Sequence, residues 1–371
     1  MTNTKMELVP IENWGLTDET PFLISGPCSA ETPEQVMQTA KDIVKYTPQV
    51  KVFRAGIWKP RTRPNSFEGI GIEGLSWLQH VKKETGLLTS VEVANANHVY
   101  EALKHGIDIL WVGARTSVNP FSVQEIANAL RGVDVPVMVK NPINPDLQLW
   151  LGAIERISQA GITRLGAIHR GFSSGQNGRF RNAPQWKLAI ELKRLLPDLP
   201  MICDPSHICG KRDTLLEISQ KALDLAMDGL MIESHPNPDE AWSDKNQQVT
   251  PEALSKLLEK LNVRKPEGEG PETVDFLSLY RDEIDQIDLE ILDTIARRSK
   301  VVEKIAQYKK DHEMTILQVN RWDELLKDRL AVAKKLGLDD KFSKELYQQI
   351  HLMSIRIQTK VMNAKKVKEK S

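Results

Sequence analysis

The feature that most constrains the fold is an alternation of short apolar runs with amphipathic helical stretches, which fills the chain up to Asn262. The apolar runs lie at residues 21–27, 50–56, 87–93, 107–114, 135–140, 162–171, 200–207 and 229–235. Stretches such as TPEQVMQTAKDIVKY separate them. Eight strands, each followed by a helix, in about 250 residues predict a (β/α)8 TIM barrel in the α/β class. A doubly wound open sheet is the alternative, and the regular eightfold count favours the barrel.

The chain changes character after the segment RKPEGEGPET at residues 264–273. Its Pro, Gly and Glu content is typical of an exposed linker. The predicted organisation is a barrel domain over 1–262, a linker over 263–273 and an all-α domain over 274–371.

Beyond the linker, apolar residues recur with the helical period of 3.6. The pattern predicts one helix over 274–310, a second over 318–336 that stops at Gly337, and a third from about 339 onward. Three helices in under 100 residues form a small core, so we expect self-association.

Composition excludes several classes of protein. Lys+Arg and Asp+Glu both count 50, so the formal net charge is zero. Nucleic-acid and anionic-membrane binding need a basic surface, and neither is expected. The 3 cysteines form no disulfide framework, and the N-terminus carries no apolar signal core. We therefore expect a cytoplasmic protein.

Candidate metal ligands follow four of the apolar runs. The active site of a (β/α)8 barrel lies at the carboxyl ends of its strands. Cys28 follows the first run, His207 ends the seventh, Glu233 ends the eighth, and Asp244 lies in the loop beyond it. This mixed set of thiolate, imidazole and carboxylate donors suits a divalent metal ion, and Mn, Fe, Co or Zn would fit.

Six cations are expected at the same mouth: Arg54, Lys59, Arg61, Arg115, Lys140 and Arg170. For any one of them alone, a surface ion pair is the simpler interpretation. Six are too many to leave unpaired at a barrel mouth. They match ligands that carry several phosphate or carboxylate charges, for which Arg supplies bidentate donors.

The motifs GPCSAE, RAGIWKPRT, GAR, VKNP, HRG, CDPSH and IESHP, in this order over residues 15–262, carry a family resemblance. They resemble the 3-deoxy-D-arabino-heptulosonate 7-phosphate (DAHP) synthases, which condense phosphoenolpyruvate with erythrose 4-phosphate. The resemblance implies Cys28, His207, Glu233 and Asp244 as the metal ligands. It implies Arg115, Lys140 and Arg170, with Arg54 beside them, for phosphoenolpyruvate, and Lys59, Arg61 and Thr62 for erythrose 4-phosphate. In one departure, Lys245 stands where relatives usually have Gly, which bears on the placement of Asp244.

The chemistry assigns provisional roles at this mouth. A metal ion can polarise the aldehyde oxygen of the sugar, and Lys59 could also donate to it. Attack by C3 of the enol phosphate leaves positive charge at C2, which water captures before phosphate departs. Glu92 either orients or deprotonates that water, or it is a buried ion-pair partner of the nearby cations; the residues leave both open.

Spacing in the helical tail indicates a second site. Arg298 and Lys309 are eleven residues apart, about three turns, so they share one helix face. Ser354 and Gln358 are also on one face. Arg281 lies about 25 Å along the helix from Arg298, so it would serve the site of a partner subunit packed antiparallel.

This tail resembles the all-helical chorismate mutases over residues 274–362, through the pattern R-x-x-I-x-x-I-D-x-x-I-L-x-x-I-A-x-R. The resemblance implies as substrate contacts Arg281 (from the partner), Arg298, Lys309, Arg321, Ser354 and Gln358. Two positions depart from the family. Trp322 stands where some relatives have a Glu that binds the substrate hydroxyl, and Gln318 where an Asp is often found.

Four hypotheses follow. The leading one is a bifunctional synthase and mutase that forms homodimers through its helical domain, or higher oligomers, and is inhibited by prephenate or chorismate. In the second, the helical domain only binds chorismate or prephenate as a regulatory module. The third is a 3-deoxy-octulosonate 8-phosphate synthase, against which the KPRT loop favours the four-carbon sugar. The fourth, a non-enzymatic metal scaffold, leaves the cations without a reason.

Overall fold

The computed structural model describes residues 6–17, 19–59, 67–173, 178–264 and 271–364, with side chains in the last range from Leu277 onward. The chain separates into two compact units, residues 1–266 and 267–371. Most of the predicted linker lies outside the described residues. Among the described residues, every helix is too short or too polar to span a lipid bilayer.

The first unit is a closed, all-parallel barrel whose strands follow one another in chain order. The strands are β1 Phe22–Gly26, β2 Val52–Arg54, β3 Leu88–Val93, β4 Ile109–Val112, β5 Val137–Lys140, β6 Leu165–His169, β7 Met201–Cys203 and β8 Gly229–Glu233. Pairing of β1 with β8, in which Gly26 lies opposite Glu233, closes the barrel. The predicted (β/α)8 barrel is therefore confirmed.

Helices cover the outside of this barrel. They are α1 Pro33–Tyr46, α2 Glu73–Thr85, α3 Ala96–Lys104, α4 Pro120–Ala129, α5 Leu147–Gln159, α6 Trp186–Leu195, α8 Leu215–Asp224 and α9 Pro251–Leu258, while the short helix α7 Pro205–Cys209 lies in the loop that follows β7. Side chains of Thr32, Asn95, Asn119, Asp146 and Thr250 cap five of them by accepting from backbone N–H groups of the first turn. The caps explain why these helices begin where each loop returns from the mouth.

The barrel has two apolar layers. The strands and outer helices enclose the larger one, and a smaller cluster fills the barrel interior around Ile24, Trp111 and Met231. Trp14 belongs to the interior cluster, and its carbonyl accepts from Arg164, just before β6. Trp14 therefore closes the end of the barrel opposite the mouth, and the interior is a packed core rather than a channel.

The second unit consists of three helices, α10 Pro271–Asp311, α11 Val319–Lys335 and α12 Asp340–Asn363. Helix α12 packs against both others. Few side chains are buried, among them Val302, Ala306 and Ala333. Many large apolar side chains of α10 are exposed instead: Leu277, Leu279, Ile284, Ile287, Leu289, Ile291, Leu292, Val301 and Ile305. One copy of this unit thus leaves much apolar surface in water, at a cost in free energy.

Candidate active sites

Strand geometry decides which side chains face the barrel mouth. Val52, Met138, Ile202 and Met231 lie in the interior cluster. Side chains alternate along a strand, so the residue two positions later points the same way. Those residues are Arg54, Lys140, Asp204 and Glu233, all at most 3% exposed. The strands therefore deliver two cations and two carboxylates into one buried layer above the apolar core.

Asp204 links two of the predicted residues. One of its carboxylate oxygens lies 2.8 Å from Lys140 Nζ and 2.8 Å from His207 Nδ1. Burial alone would raise the pKa of Asp204, but His207 and Lys140 hold it well below the usual range. Burial lowers the pKa of His207, so its imidazole is neutral at neutral pH. The sequence predicts His207 at the end of the seventh strand, but β7 ends at Cys203 and His207 lies one turn later, on the short helix α7. Asp204 holds its ring there.

Arg54 and Glu233 form the second buried pair, with Nη1 and Oε1 3.2 Å apart. The Arg54 guanidinium lies 5.1 Å from the ring centre of Trp111, and Lys140 Nζ lies 5.6 Å from it. The Trp111 indole thus provides an aromatic face to both cations, and its Nε1 donates to Glu92 at 3.0 Å. Glu92 lies so close to Gly113 that a Cβ there would be 2.1 Å from its Oε1, which explains the glycine.

Cys28 and Asp244 come into contact next to the pairing of β1 with β8 that closes the barrel. Cys28 Sγ lies 3.4 Å from Asp244 Oδ2, and Lys59 Nζ donates to the sulfur at 2.9 Å. Burial and the facing charge of Glu233 raise the pKa of the Cys28 thiol to about 11. Asp244 takes up a left-handed backbone conformation, φ 47°, which Asp tolerates. The fold therefore puts Asp244 beside Cys28 even though Lys245, rather than Gly, follows it.

The loop after β8 holds these groups through its glutamines. Gln247 donates to Glu233 Oε2 at 2.7 Å, and Gln248 accepts from the backbone N–H of Cys28 at 2.9 Å. Arg181, from the loop after β6, donates to Gln247 at 2.8 Å and lies 3.0 Å from Asp244 Oδ1. Burial would raise the pKa of Asp244, but Arg181 and His207 hold it well below its usual range. One cation therefore orients two of the four candidate ligands.

The four candidate metal ligands lie as two pairs. Besides Cys28 and Asp244, His207 Nε2 is 3.7 Å from Glu233 Oε1, and that buried oxygen accepts no hydrogen bond within the described part of the chain. Within the described residues, no group of three or more His, Cys, Asp or Glu side chains is arranged so that it could hold a metal ion. The donor chemistry nevertheless fits a divalent transition metal ion, since thiol, neutral imidazole and carboxylate are its usual ligands.

Arg170 directly follows β6 and is another buried cation of the mouth. It is 9% exposed, and no carboxylate of the described residues forms an ion pair with it. Burial, together with the positive charges of Arg181 and Arg115, lowers the pKa of Arg170 to about 10, although the negative charge of Asp204 acts in the opposite direction. Arg115 is exposed at the same mouth. The predicted residues Arg61 and Thr62 lie outside the described residues.

In the helical unit, two of the predicted residues are in side-chain contact, and a third lies one turn away. Arg298 Nη1 donates to Ser354 Oγ at 2.7 Å, and Gln358, one turn further along α12, is 9% exposed. Lys309 is 8% exposed, and its Nζ donates to the carbonyl of Ile316. Arg321 is exposed and pairs with Glu324 at 3.6 Å, while Arg281 is exposed on α10. Because α10 is continuous, Arg281 and Arg298 of one chain lie about 25 Å apart.

Sequence reasoning missed several residues of both sites. Strand alternation could have predicted Asp204 and Trp111, since each lies two positions after a residue of the interior cluster. Arg181, Gln247 and Gln248 come from loops, where no periodicity predicts a direction. In the helical unit, His351 stacks on Trp322 with ring centroids 3.9 Å apart, and no spacing rule joins residues on two helices.

The fold and these sites define a class: a (β/α)8-barrel enzyme whose mouth gathers cations and candidate metal ligands, joined to an all-helical domain with a group of cationic and polar side chains. The chain matches the DAHP synthetase I family over residues 13–266 and chorismate mutase type II over residues 280–359. It belongs to the DAHP synthetase I family and carries a C-terminal type II chorismate mutase domain. It is thus a bifunctional enzyme of the shikimate pathway.

Curated relatives of two kinds are similar to this chain. The chain is 30% identical over 239 residues to phospho-2-dehydro-3-deoxyheptonate aldolase of Thermotoga maritima, covering 64% of this chain and 68% of that protein. It is 25% identical over 264 residues to 2-dehydro-3-deoxyphosphooctonate aldolase of Legionella pneumophila, covering 66% and 92%. A crystal structure of the Thermotoga maritima DAHP synthase superposes with a TM-score of 0.60 at 28% identity, covering 68% of this chain and 72% of that one.

Proposed function

We propose that the barrel condenses phosphoenolpyruvate with erythrose 4-phosphate to DAHP and phosphate, and that the helical domain rearranges chorismate to prephenate. The observation that carries the first reaction is Arg170, a buried guanidinium that forms no ion pair with a carboxylate of the described residues. A buried cation without a direct ion-pair partner is costly unless an anion binds to it.

Phosphoenolpyruvate binds on the Arg170 side of the mouth. Arg170 and Arg115 hold its phosphate or carboxylate, and Lys140 and Arg54 supply further positive charge over the Trp111 ring. The pairs of Lys140 with Asp204 and of Arg54 with Glu233 fix both cations before the substrate arrives. Such preorganised charge stabilises a transition state without reorganisation during the reaction.

Erythrose 4-phosphate binds on the Cys28 side. Lys59, 2.9 Å from Cys28 Sγ, is placed to donate to the aldehyde oxygen, and Arg61 with Thr62 binds the sugar phosphate. Cys28, His207, Glu233 and Asp244 would hold a divalent metal ion, Mn, Fe, Co or Zn. When bound, the ion acts as a Lewis acid toward the aldehyde oxygen.

The condensation joins C3 of phosphoenolpyruvate to the aldehyde carbon. The aldehyde oxygen gains a proton, water adds its oxygen to C2, and the C2–O bond to phosphate breaks. Glu92, held by Trp111 Nε1, orients that water. The cations at both ends hold the two substrates in a reactive geometry.

The helical domain needs no nucleophile, because the rearrangement of chorismate is pericyclic. Arg298, with Arg281 of a partner copy, pairs with the two carboxylates. Lys309 and Gln358 donate to the ether oxygen as the C–O bond breaks, Ser354 orients Arg298, and Arg321 adds positive charge. Catalysis is then selection of the compact conformer together with electrostatic stabilisation. The exposed apolar side chains of α10 support a homodimer, or a higher oligomer, through this domain.

A coupled assay of the purified chain tests both activities. Phosphate release from phosphoenolpyruvate and erythrose 4-phosphate should require a divalent metal ion and stop with chelator. Loss of chorismate should continue with chelator. Phosphate release only with arabinose 5-phosphate would instead favour the 3-deoxy-octulosonate 8-phosphate synthase reaction. Size-exclusion chromatography with light scattering reports the oligomer.

Feedback control is the finer part of the proposal. Prephenate or chorismate bound to the helical domain inhibits condensation in the barrel. Prephenate should therefore inhibit the wild type and have much less effect on Arg298→Ala. Equal inhibition of both would contradict control through this domain. If chorismate binds without turnover while inhibition is normal, the helical domain is only a regulatory module.

We also propose that the protein is located in the cytoplasm.

A further inference from the structure

A stacked pair of rings borders the polar cluster of the helical unit, which consists of Arg298, Ser354 and Gln358. Trp322 lies in the first turn of α11, and its ring stacks on His351 of α12 with centroids 3.9 Å apart and planes 17° apart. His351 precedes Ser354 by three residues and Gln358 by seven, so the three side chains leave α12 on one face. The pair therefore stands beside the site of Arg298.

Two buried polar atoms in and beside this cluster make no hydrogen bond within the described part of the chain. They are His351 Nε2 and Gln358 Oε1. A buried polar group without a partner is costly, and native proteins rarely leave one unsatisfied. Both atoms lie on the helix face that carries Ser354, the partner of Arg298. Each therefore marks a position where a bound molecule would supply the missing partner.

The chemistry of His351 selects the group it would bind. Burial lowers the pKa of His351, and the positive charge of Arg298 lowers it further, so the ring is neutral at neutral pH. Chorismate carries two carboxylates, an ether oxygen and one ring hydroxyl. Arg298 and Lys309 are charged donors suited to the carboxylates and the ether oxygen. A neutral imidazole nitrogen suits the neutral hydroxyl, because it can donate or accept according to its tautomer.

We propose that His351, clamped by Trp322, is a specificity-determining residue that binds the ring hydroxyl of chorismate through Nε2. Stacking on Trp322 fixes the imidazole plane before the substrate binds, which reduces the entropy lost on binding. The proposal rests on the proposed binding of chorismate by the helical domain.

The test uses the full chain with His351→Leu and the matched variant His351→Gln, which restores a polar side chain. Two substrates are compared: chorismate and its analogue without the ring hydroxyl. For chorismate, His351→Leu should lower kcat/KM roughly ten- to a hundred-fold, and His351→Gln should recover part of it. For the analogue, the wild type and His351→Leu should have the same kcat/KM. Equal losses with both substrates would overturn the proposal.

A folding control and an affinity measurement accompany the kinetics. The circular dichroism spectrum and Tm of each variant must match those of the wild type. Trp322→Phe keeps a ring that can stack on His351, so its kcat/KM for chorismate should fall less than that of Trp322→Ala. If the wild type binds chorismate without rearranging it, the mutase reaction fails but His351 is still tested by calorimetric affinity. If His351→Leu binds chorismate more weakly than the wild type does, but binds the analogue equally well, the proposal is supported. Unchanged binding, or no binding of chorismate by the wild type, overturns it.

Discussion

The two sites of this chain are built in opposite ways. At the barrel mouth, one chain brings together side chains that lie more than 200 residues apart, as with Cys28 and Asp244, and neutralises most of their charges internally. In the helical unit, Arg298 meets Ser354, but Arg281 is exposed far along the same helix. The barrel closes through its own strands, whereas three helices lack the core to complete a site. The first site should therefore be a property of one chain and the second a property of an assembly.

The largest expected effect comes from His207→Ala. Removing a candidate ligand should lower condensation about 10³-fold or more. Phosphate release and metal content by mass spectrometry measure the two losses. Chorismate turnover should stay near the wild-type value, because it uses the other unit. A fall in both activities would show that the sites are not separable.

Lys309→Ala is the mirror experiment. It removes the charge proposed for the ether oxygen and should lower chorismate turnover about 10²- to 10³-fold. Loss of absorbance at the chorismate band measures it, with Lys304→Ala on an exposed turn of α10 as the control. Condensation should be largely retained. Normal chorismate turnover in Lys309→Ala would show that Lys309 is not part of the site.

Mixing Arg281→Ala with Arg298→Ala tests the assembly directly. Each variant alone should lose about 10²-fold in chorismate turnover. After subunit exchange, half of the dimers contain one chain of each kind, and one of their two sites has both arginines. Turnover should therefore recover to about a quarter of the wild type. No recovery, with exchange demonstrated by mass, would place Arg281 outside the partner's site.

The smallest expected effect concerns Arg181. It holds Asp244 and Gln247, so Arg181→Ala should weaken metal affinity about 10- to 100-fold without abolishing condensation at saturating metal. Competition with a chromogenic chelator measures the affinity. Arg179→Ala, which breaks an exposed pair with Glu217 and touches none of the candidate ligands, is the matched control. Equal affinity in both variants would make Arg181 a purely structural residue.

Much of the barrel could be predicted because its signals are local. Eight apolar runs became eight strands, and strand alternation sent Arg54, Lys140 and Glu233 to the mouth. The three helices of the tail also begin and end close to their predicted bounds, and Gly337 follows α11 in a left-handed conformation. Periodicity and capping residues are written in short stretches of sequence.

Partners across the fold could not be predicted in the same way. The barrel, the helical tail and the types of residue at each strand end all follow from local patterns in the sequence. The contacts of Asp204 with Lys140 and His207, of Arg181 with Asp244, and of Trp322 with His351 appear only in the folded chain. A local pattern fixes the direction in which a side chain points. What it meets there depends on barrel closure and helix packing, which bring together segments far apart in the chain.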